Sequence, residues 1–165
     1  MGLCISTIFN RYNESVLDKD ILDAEYKSTE PFIIPVTRGK VIKVYDGDTI
    51  TIAAKLPYKK SPVYKFQVRL LGIDTPEIKG HCEKEKEIAI VARDALHDKI
   101  MGKIVELKNV GNEKYGRILA DIYLDTLHIN KWLLDAKYAV PYNGGTKSEF
   151  NKQFNLSIAD LSVIK

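Results

Sequence analysis

From about Phe32 the chain runs in short apolar stretches separated by turn residues. Val41-Ile42-Lys43-Val44-Tyr45 is rich in β-branched residues and runs into Asp46-Gly47-Asp48, and Thr49-Ile50-Thr51-Ile52 follows. Asp-Gly between two such runs predicts a hairpin, because it fits the tight turns whose twist matches paired strands. Lys55 to Pro62, with two prolines and three lysines, reads as a loop, and Tyr64 to Ile73 as a third strand that ends at Asp74-Thr75-Pro76-Glu77. The period then changes. Ile88, Val91, Ala92, Ala95 and Leu96 fall on one face at 3.6-residue spacing, predicting a helix from about Glu83 to Met101 that Gly102 ends. Ile104–Val110 and Arg117–Leu124 read as strands joined by the turn Gly111-Asn112-Glu113-Lys114. Leu127-His128-Ile129 is short and extended, and Asn130 has the chemistry to cap a helix carrying Trp132, Leu133 and Leu134. Thr146-Lys147-Ser148-Glu149 is a capping box ahead of the helical stripe Phe150, Phe154, Ile158 and Leu161.

Five short strands around one helix point to an α+β, mainly β, fold: a five-stranded barrel of the oligonucleotide-binding (OB) type with about three packed helices. Residues 1–31 read as a leader, in which Val16, Leu17, Ile21 and Ala24 form one stripe of a short helix capped by Asn13, and Ser28-Thr29-Glu30-Pro31 as a linker. The expected domain is then 32–165. The sequence contains no internal repeat, and no apolar run reaches the eighteen residues a spanning helix requires.

Composition changes this picture little. With 45% hydrophobic and 28% charged residues, a 165-residue chain has the profile of one globular domain. The net charge of +3 is weak evidence for any partner, but it is unevenly spread. Residues 1–35 carry three basic and six acidic groups, leaving 22 basic against 16 acidic in the remainder, a balance compatible with a polyanionic partner. Nothing suggests that Cys4 and Cys82 pair, which points to a reducing compartment. The start, Met1-Gly2-Leu3-Cys4-Ile5-Ser6, fits the pattern for myristoylation of Gly2, with Cys4 placed for a second acyl chain. One chain holds a protein only marginally and two hold it stably, so an intracellular location with a lipid anchor at the membrane surface is expected. A secretory signal is not legible, and the sequons at Asn13 and Asn155 are then accidental.

The candidate chemistry lies in carboxylates and arginines. Asp48 ends a tight turn, and Asp74 and Glu77 flank Thr75-Pro76 at the end of another strand. A barrel can bring two such strand ends onto one rim, where three carboxylates repel unless a cation joins them. Calcium suits that set because it accepts carboxylate and carbonyl oxygens in loose geometry. Taken alone, Asp46-Gly47-Asp48 is an ordinary turn; an EF-hand starting at Asp46 fails, because Thr51 stands where Gly is needed and Pro57 where Glu is needed. Arg69 leads into Asp74, and Arg117 opens a later strand. Each alone reads as a surface salt bridge; together their planar guanidinium groups suit the charge that develops on a pentavalent phosphorus centre. His81, His97 and His128 have no ligand-like spacing.

Three blocks taken jointly resemble a known family. Tyr45-Asp46-Gly47-Asp48-Thr49-Ile50, Val68-Arg69-Leu70-Leu71-Gly72-Ile73-Asp74-Thr75-Pro76-Glu77 and Lys114-Tyr115-Gly116-Arg117-Ile118-Leu119-Ala120 are similar, in order and spacing, to the motifs of staphylococcal nuclease-like domains over roughly residues 36–145. The resemblance implies a calcium-dependent endonuclease cutting DNA and RNA, single-stranded or locally open, and leaving 3′-phosphate ends. It assigns the metal to Asp48, Asp74 and the carbonyl of Thr75, the general base to Glu77, and the phosphate clamp to Arg69 and Arg117. Lys114 and Tyr115 match positions beside the substrate, and Tyr142 is the candidate for a further substrate tyrosine, with Tyr138 competing. Asp46 is a candidate to support the metal ligands. The leader departs from the family pattern. A monomeric enzyme is expected; the alternatives are a non-catalytic nucleic-acid- or protein-binding module on the same barrel, or an adaptor whose leader is the working part.

Overall fold

A computed structural model describes residues 19–79 and 83–142. Gly2, Cys4, Asn13, Val16 and Leu17, then His81 and Cys82, and the capping box and helical stripe beyond residue 142 lie outside the described residues. The chain divides into two compact units between Phe32 and Ile33. In the first, a short helix α1 (Lys19–Leu22) carries Ile21 of the expected leader stripe, and Ala24 lies beyond its end.

The second unit contains β1 (Arg38–Val44), β2 (Thr49–Ala54), β3 (Tyr64–Leu70), β4 (Ile73–Asp74), α2 (Glu83–Ile100), β5 (Ile104–Asn112), β6 (Ile118–Leu124), β7 (Leu127–His128), α3 (Ile129–Asp135) and β8 (Val140–Pro141). β1, β2 and β3 form an antiparallel meander, and β5 pairs antiparallel with both β1 and β6. A parallel pairing of Val68–Leu70 with Ile118–Ala120 joins β3 to β6 and closes the five strands into a barrel. This is the OB-type α+β architecture expected from the sequence.

Alternation of side chains along each strand explains the barrel. Ile50, Ile52 and Ala54 of β2, Val68 and Leu70 of β3, and Ile118, Ala120 and Ile122 of β6 are all buried. Side chains two apart share a face, so each strand sends one set inward. Leu96 and Ile100 of α2 and Ile129 and Leu133 of α3 join the same core. Among the described residues no helix is long and apolar enough to cross a membrane.

Several details differ from the expectation. The buried face of α2 is Ala89, Ala92, Leu96 and Ile100, whereas Val91, expected on that face, is exposed. β5 runs on through Gly111 and Asn112, which were expected in the turn. The third strand does not run on to Ile73. It stops at Leu70, a turn follows at Leu71–Gly72, and β4 leaves the barrel to pair with β8, Ile73 opposite Pro141 and Asp74 opposite Val140. Asn130, expected as a helix cap, is not one. His128 occupies the cap position of α3 without a side-chain cap bond. Asn130 is instead 2% exposed. Its Oδ1 accepts from the Ile122 N–H at 2.9 Å, and its Nδ2 donates to the carbonyls of Leu71 at 2.9 Å and Ala120 at 3.3 Å. The side chain therefore ties α3 to β6 and to the turn between β3 and β4.

Truncating Asn130 would leave buried backbone groups without partners. Asn130→Ala is expected to lower unfolding stability by about 1–3 kcal/mol, read by urea denaturation with Trp132 fluorescence. An unchanged midpoint would refute this role.

Candidate active site

The turn between β1 and β2 is built by its own acids. The Tyr45 N–H donates to the Thr49 carbonyl at 2.9 Å, closing the hairpin, and the Asp48 N–H donates to Asp46 Oδ1 at 3.2 Å. Gly47 is needed for a close approach: a Cβ there would lie 2.9 Å from Thr75 Cγ2 and 3.0 Å from Ala92 Cβ. The turn thus packs directly on Thr75 and on α2, which brings Asp48 beside the segment that follows Asp74. The Asp48 carbonyl accepts from Leu70 N–H at 2.8 Å, fixing the turn to the end of β3 as well.

Arg69 lies between the two aspartates. Its Nη1 donates to Asp48 Oδ2 at 2.7 Å and its Nη2 to Asp74 Oδ1 at 2.6 Å. Asp48 is almost fully buried, while Arg69 and Asp74 are partly exposed. Opposite Arg69 on β2 stands Thr49, whose Oγ1 donates to Asp48 Oδ1 at 2.9 Å. Arg117 reaches the same hydroxyl, its Nη1 lying 3.3 Å from Thr49 Oγ1. Barrel closure therefore brings Asp48, Arg69, Asp74 and Arg117 into one connected network.

Arg117 sits just outside β6, in the hairpin that joins β5 to it. The Glu113 N–H donates to the Arg117 carbonyl and the Gly116 N–H to the Glu113 carbonyl, each at 2.9 Å. Gly116 adopts φ +83°, the left-handed residue that a three-residue hairpin loop of this kind requires. Glu113 holds the arginine: its Oε2 accepts from Arg117 Nε at 3.2 Å and from the Tyr115 N–H at 3.0 Å. Neither Glu113 nor Thr49 was singled out from the sequence as part of a site. A carboxylate four residues before an arginine across a tight turn was the available signal for Glu113; Thr49 gave none, because its role depends on strand register.

The other candidates are placed as follows. Thr75 is 3% exposed and lies against Gly47. Glu77 is exposed, in the segment after Thr75-Pro76. Tyr142 donates its N–H to the Gly72 carbonyl at 3.0 Å, and the Arg69 guanidinium carbon stands 5.9 Å from its ring. Tyr138, the competing tyrosine, packs on Trp132 with centroids 5.8 Å apart and belongs to the rim of the core. Tyr115 is 75% exposed, with Lys114 Nζ 4.8 Å from its ring.

The electrostatics follow from the geometry. Burial pushes the Asp48 carboxyl well above its ordinary value, and the negative charges of Asp46 and Asp74 push the same way; Arg69 and the Thr49 hydrogen bond pull it down but do not compensate. Burial alone would lower Arg69, yet the charges of Asp48, Asp74 and Asp46 hold it firmly protonated. Among the described residues no three His, Cys, Asp or Glu side chains gather as a metal cluster. The expected ligand set contains only two side chains, since its third donor is a backbone carbonyl. Those oxygens are hard donors that match a hard cation, and a buried carboxylate that its arginine only partly neutralises has reason to accept one.

The sequence model of the family described as staphylococcal nuclease homologue matches residues 67–160. A Bacillus anthracis protein described as uncharacterized is 30% identical over 79% of this chain and 60% of its own length. An Escherichia coli protein described as an uncharacterized endonuclease is 28% identical over 68% of this chain and 65% of its own. A rice (Oryza sativa subsp. japonica) protein described as a probable staphylococcal-like nuclease is 33% identical over 42% of this chain and 19% of its own. The chain thus spans less than two thirds of the length of these relatives.

Glu113 yields a signed pH dependence. Burial alone would raise its carboxyl, but hydrogen bonds from Arg117 and the Tyr115 N–H, with the charges of Arg117 and Arg69, bring it below 4.5. Its contribution is therefore present above pH 4.5 and lost as pH falls through the lower folded value. Glu113→Gln is expected to cost at most about 1 kcal/mol near neutrality, the difference from wild type vanishing in acid. Urea unfolding across that range checks it; a difference that grows in acid would contradict it.

Proposed function

This chain belongs to the staphylococcal nuclease homologue family, and from that premise we propose that it is a calcium-dependent endonuclease hydrolysing phosphodiester bonds of DNA and RNA to 3′-phosphate ends. The observation that supports this best is the pair Arg69 and Arg117 converging across Thr49, with Asp48 and Asp74 beside them. Two guanidinium groups held by carboxylates are pre-oriented donors, and donors that do not reorganise stabilise charge developing in a transition state most effectively. Arg69 is fixed by Asp48 and Asp74, Arg117 by Glu113. Each guanidinium has five N–H donors, so these contacts leave others for phosphate oxygens.

Asp48, Asp74 and the Thr75 carbonyl would hold calcium, which would supply positive charge beside the scissile phosphate and the attacking water. Glu77 is the proposed general base that takes the proton from the attacking water. Arg69 and Arg117 bind the scissile phosphate, and Arg117 assists departure of the 5′ oxygen. Lys114 and Tyr115, exposed on the β5–β6 hairpin, and Tyr142, beside Arg69, contact phosphate and base. Such contacts read phosphate and a stacked base, so they carry little sequence information and favour single-stranded or locally open substrates. On sequence grounds alone, acylation at Gly2 and Cys4 would tether the enzyme to an intracellular membrane surface.

The purified protein is expected to degrade heat-denatured DNA with calcium and to stop on addition of a chelator. Glu77→Gln is expected to lower kcat by about 10²–10⁴ while oligonucleotide binding persists. Equal turnover in the variant would remove the general-base assignment, and binding without cleavage under any divalent ion would favour the non-catalytic module.

A further inference from the structure

The segment between Asp48 and Asp74 contains no Asp or Glu, yet holds Lys55, Lys59, Lys60, Lys65 and Arg69. Its excess of five positive charges is larger than the net +3 of the whole chain. Four of these charges lie on or beside the hairpin that joins β2 to β3, where Lys55, Lys59, Lys60 and Lys65 are all exposed. A single-sign patch of this kind raises the local concentration of a polyanion.

The hairpin has a built geometry. Ser61, only 6% exposed, accepts from the Leu56 N–H at 3.0 Å and donates to the Pro62 carbonyl at 2.9 Å, and its own N–H donates to the Tyr58 carbonyl at 3.1 Å. Lys60 adopts φ +64°, in the left-handed region where a residue with a side chain is uncommon. The tip also presents rings. Tyr58 is 51% and Tyr64 37% exposed, their hydroxyls 2.5 Å apart, and Tyr64 meets Phe66 edge to face at 6.1 Å. Those contacts fix two exposed rings at the tip, Tyr64 on the face of β3 that it shares with Val68 and Leu70, across the strand from Lys65.

The patch is continuous with the candidate active site. Along β3, Lys65, Gln67 and Arg69 occupy alternate positions, opposite Ala53, Thr51 and Thr49 of β2. Val68 and Leu70 point into the core, so this row lies on the other face, flanked by short uncharged side chains. It starts at Arg69 in the site and reaches Lys65 about 13 Å away, at about 3.3 Å per residue.

We infer that the β2–β3 hairpin is a second contact surface for a single-stranded nucleic acid, holding the stretch that flanks the bond to be cut. Lys55, Lys59, Lys60 and Lys65 meet phosphates, and Tyr58 at the tip stacks on a base, the combination of charge and ring that sequence-tolerant single-strand binding uses. The identity of the ligand rests on the nuclease reading above. An anionic bilayer would also attract lysines, but the unbroken row from Arg69 favours a strand that runs through the site.

The test is anisotropy of a labelled single-stranded oligonucleotide of about 16 nucleotides, in chelator and over a salt series, with full-length protein. For the combined variant Lys55→Gln, Lys59→Gln, Lys60→Gln, the slope of log affinity against log salt is expected to fall in magnitude by about 2, at about 0.7 for each lost phosphate contact. Tyr58→Ala is expected to weaken binding by at least about 5-fold, whereas Tyr58→Phe retains the ring and the affinity. With calcium, the wild-type ratio of kcat/KM for the long substrate over a dinucleotide is expected to fall in the combined variant. An unchanged slope and affinity would overturn the inference. So would loss of binding to phosphatidylserine vesicles with oligonucleotide affinity intact, which would make the hairpin a membrane contact. A wild type that binds the oligonucleotide but cuts nothing would remove the nuclease reading instead, while the slope and Tyr58 measurements still decide the hairpin's role.

Discussion

The parallel pairing of β3 with β6 is the constraint on which the site depends. β3 is hydrogen-bonded to β2 along its whole length and to β6 through Val68, Arg69 and Leu70. Arg69 therefore stands in the middle of the closure, with Thr49 opposite on one side and Leu119 on the other. A slip of one residue in either pairing would send every side chain of β3 to the wrong face. Val68 and Leu70 would leave the core and Arg69 would enter it, so burial of the apolar set enforces the position of the arginine. The same closure carries Arg117, one residue before β6, to the Thr49 hydroxyl.

Within that frame the charges are arranged against their own preferences. Asp48 is buried beside two other carboxylates, and its ionised form is disfavoured despite Arg69. Breaking such a buried pair by removing one partner typically costs about 3–5 kcal/mol, whereas an apolar replacement of the whole set is often neutral or better. Fold stability alone therefore gives little reason to keep Asp48, Arg69 and Asp74. A requirement for oriented donors and oxygen ligands, as in the proposed reaction, gives one.

The elements outside the barrel position the rest. The β4–β8 ribbon takes Asp74 off the barrel wall and brings Tyr142 to Arg69, while Asn130 locks α3 against the turn from which that ribbon begins. The basic β2–β3 hairpin extends the same β2–β3 surface away from the site.

Much of this was legible in the sequence. β-rich apolar runs between turn residues marked the barrel strands, the 3.6-residue spacing from Ile88 to Leu96 marked α2 though not its buried face, and Asp-Gly marked the first hairpin, because these signals are local. The three motif blocks marked Asp48, Arg69, Asp74, Glu77 and Arg117 as candidates. What the sequence could not determine is what depends on register and closure. Asn130 looked like a cap because its residue type suits one, but its actual partners lie on β6 and on the turn after β3. Tyr142 and Tyr138 were indistinguishable by type, and only the β4–β8 pairing separated the one beside Arg69 from the one packed on Trp132. Residue type fixes what a side chain is able to do. Which partner it meets is decided by contacts between positions far apart in the chain, and these exist only once the barrel is closed.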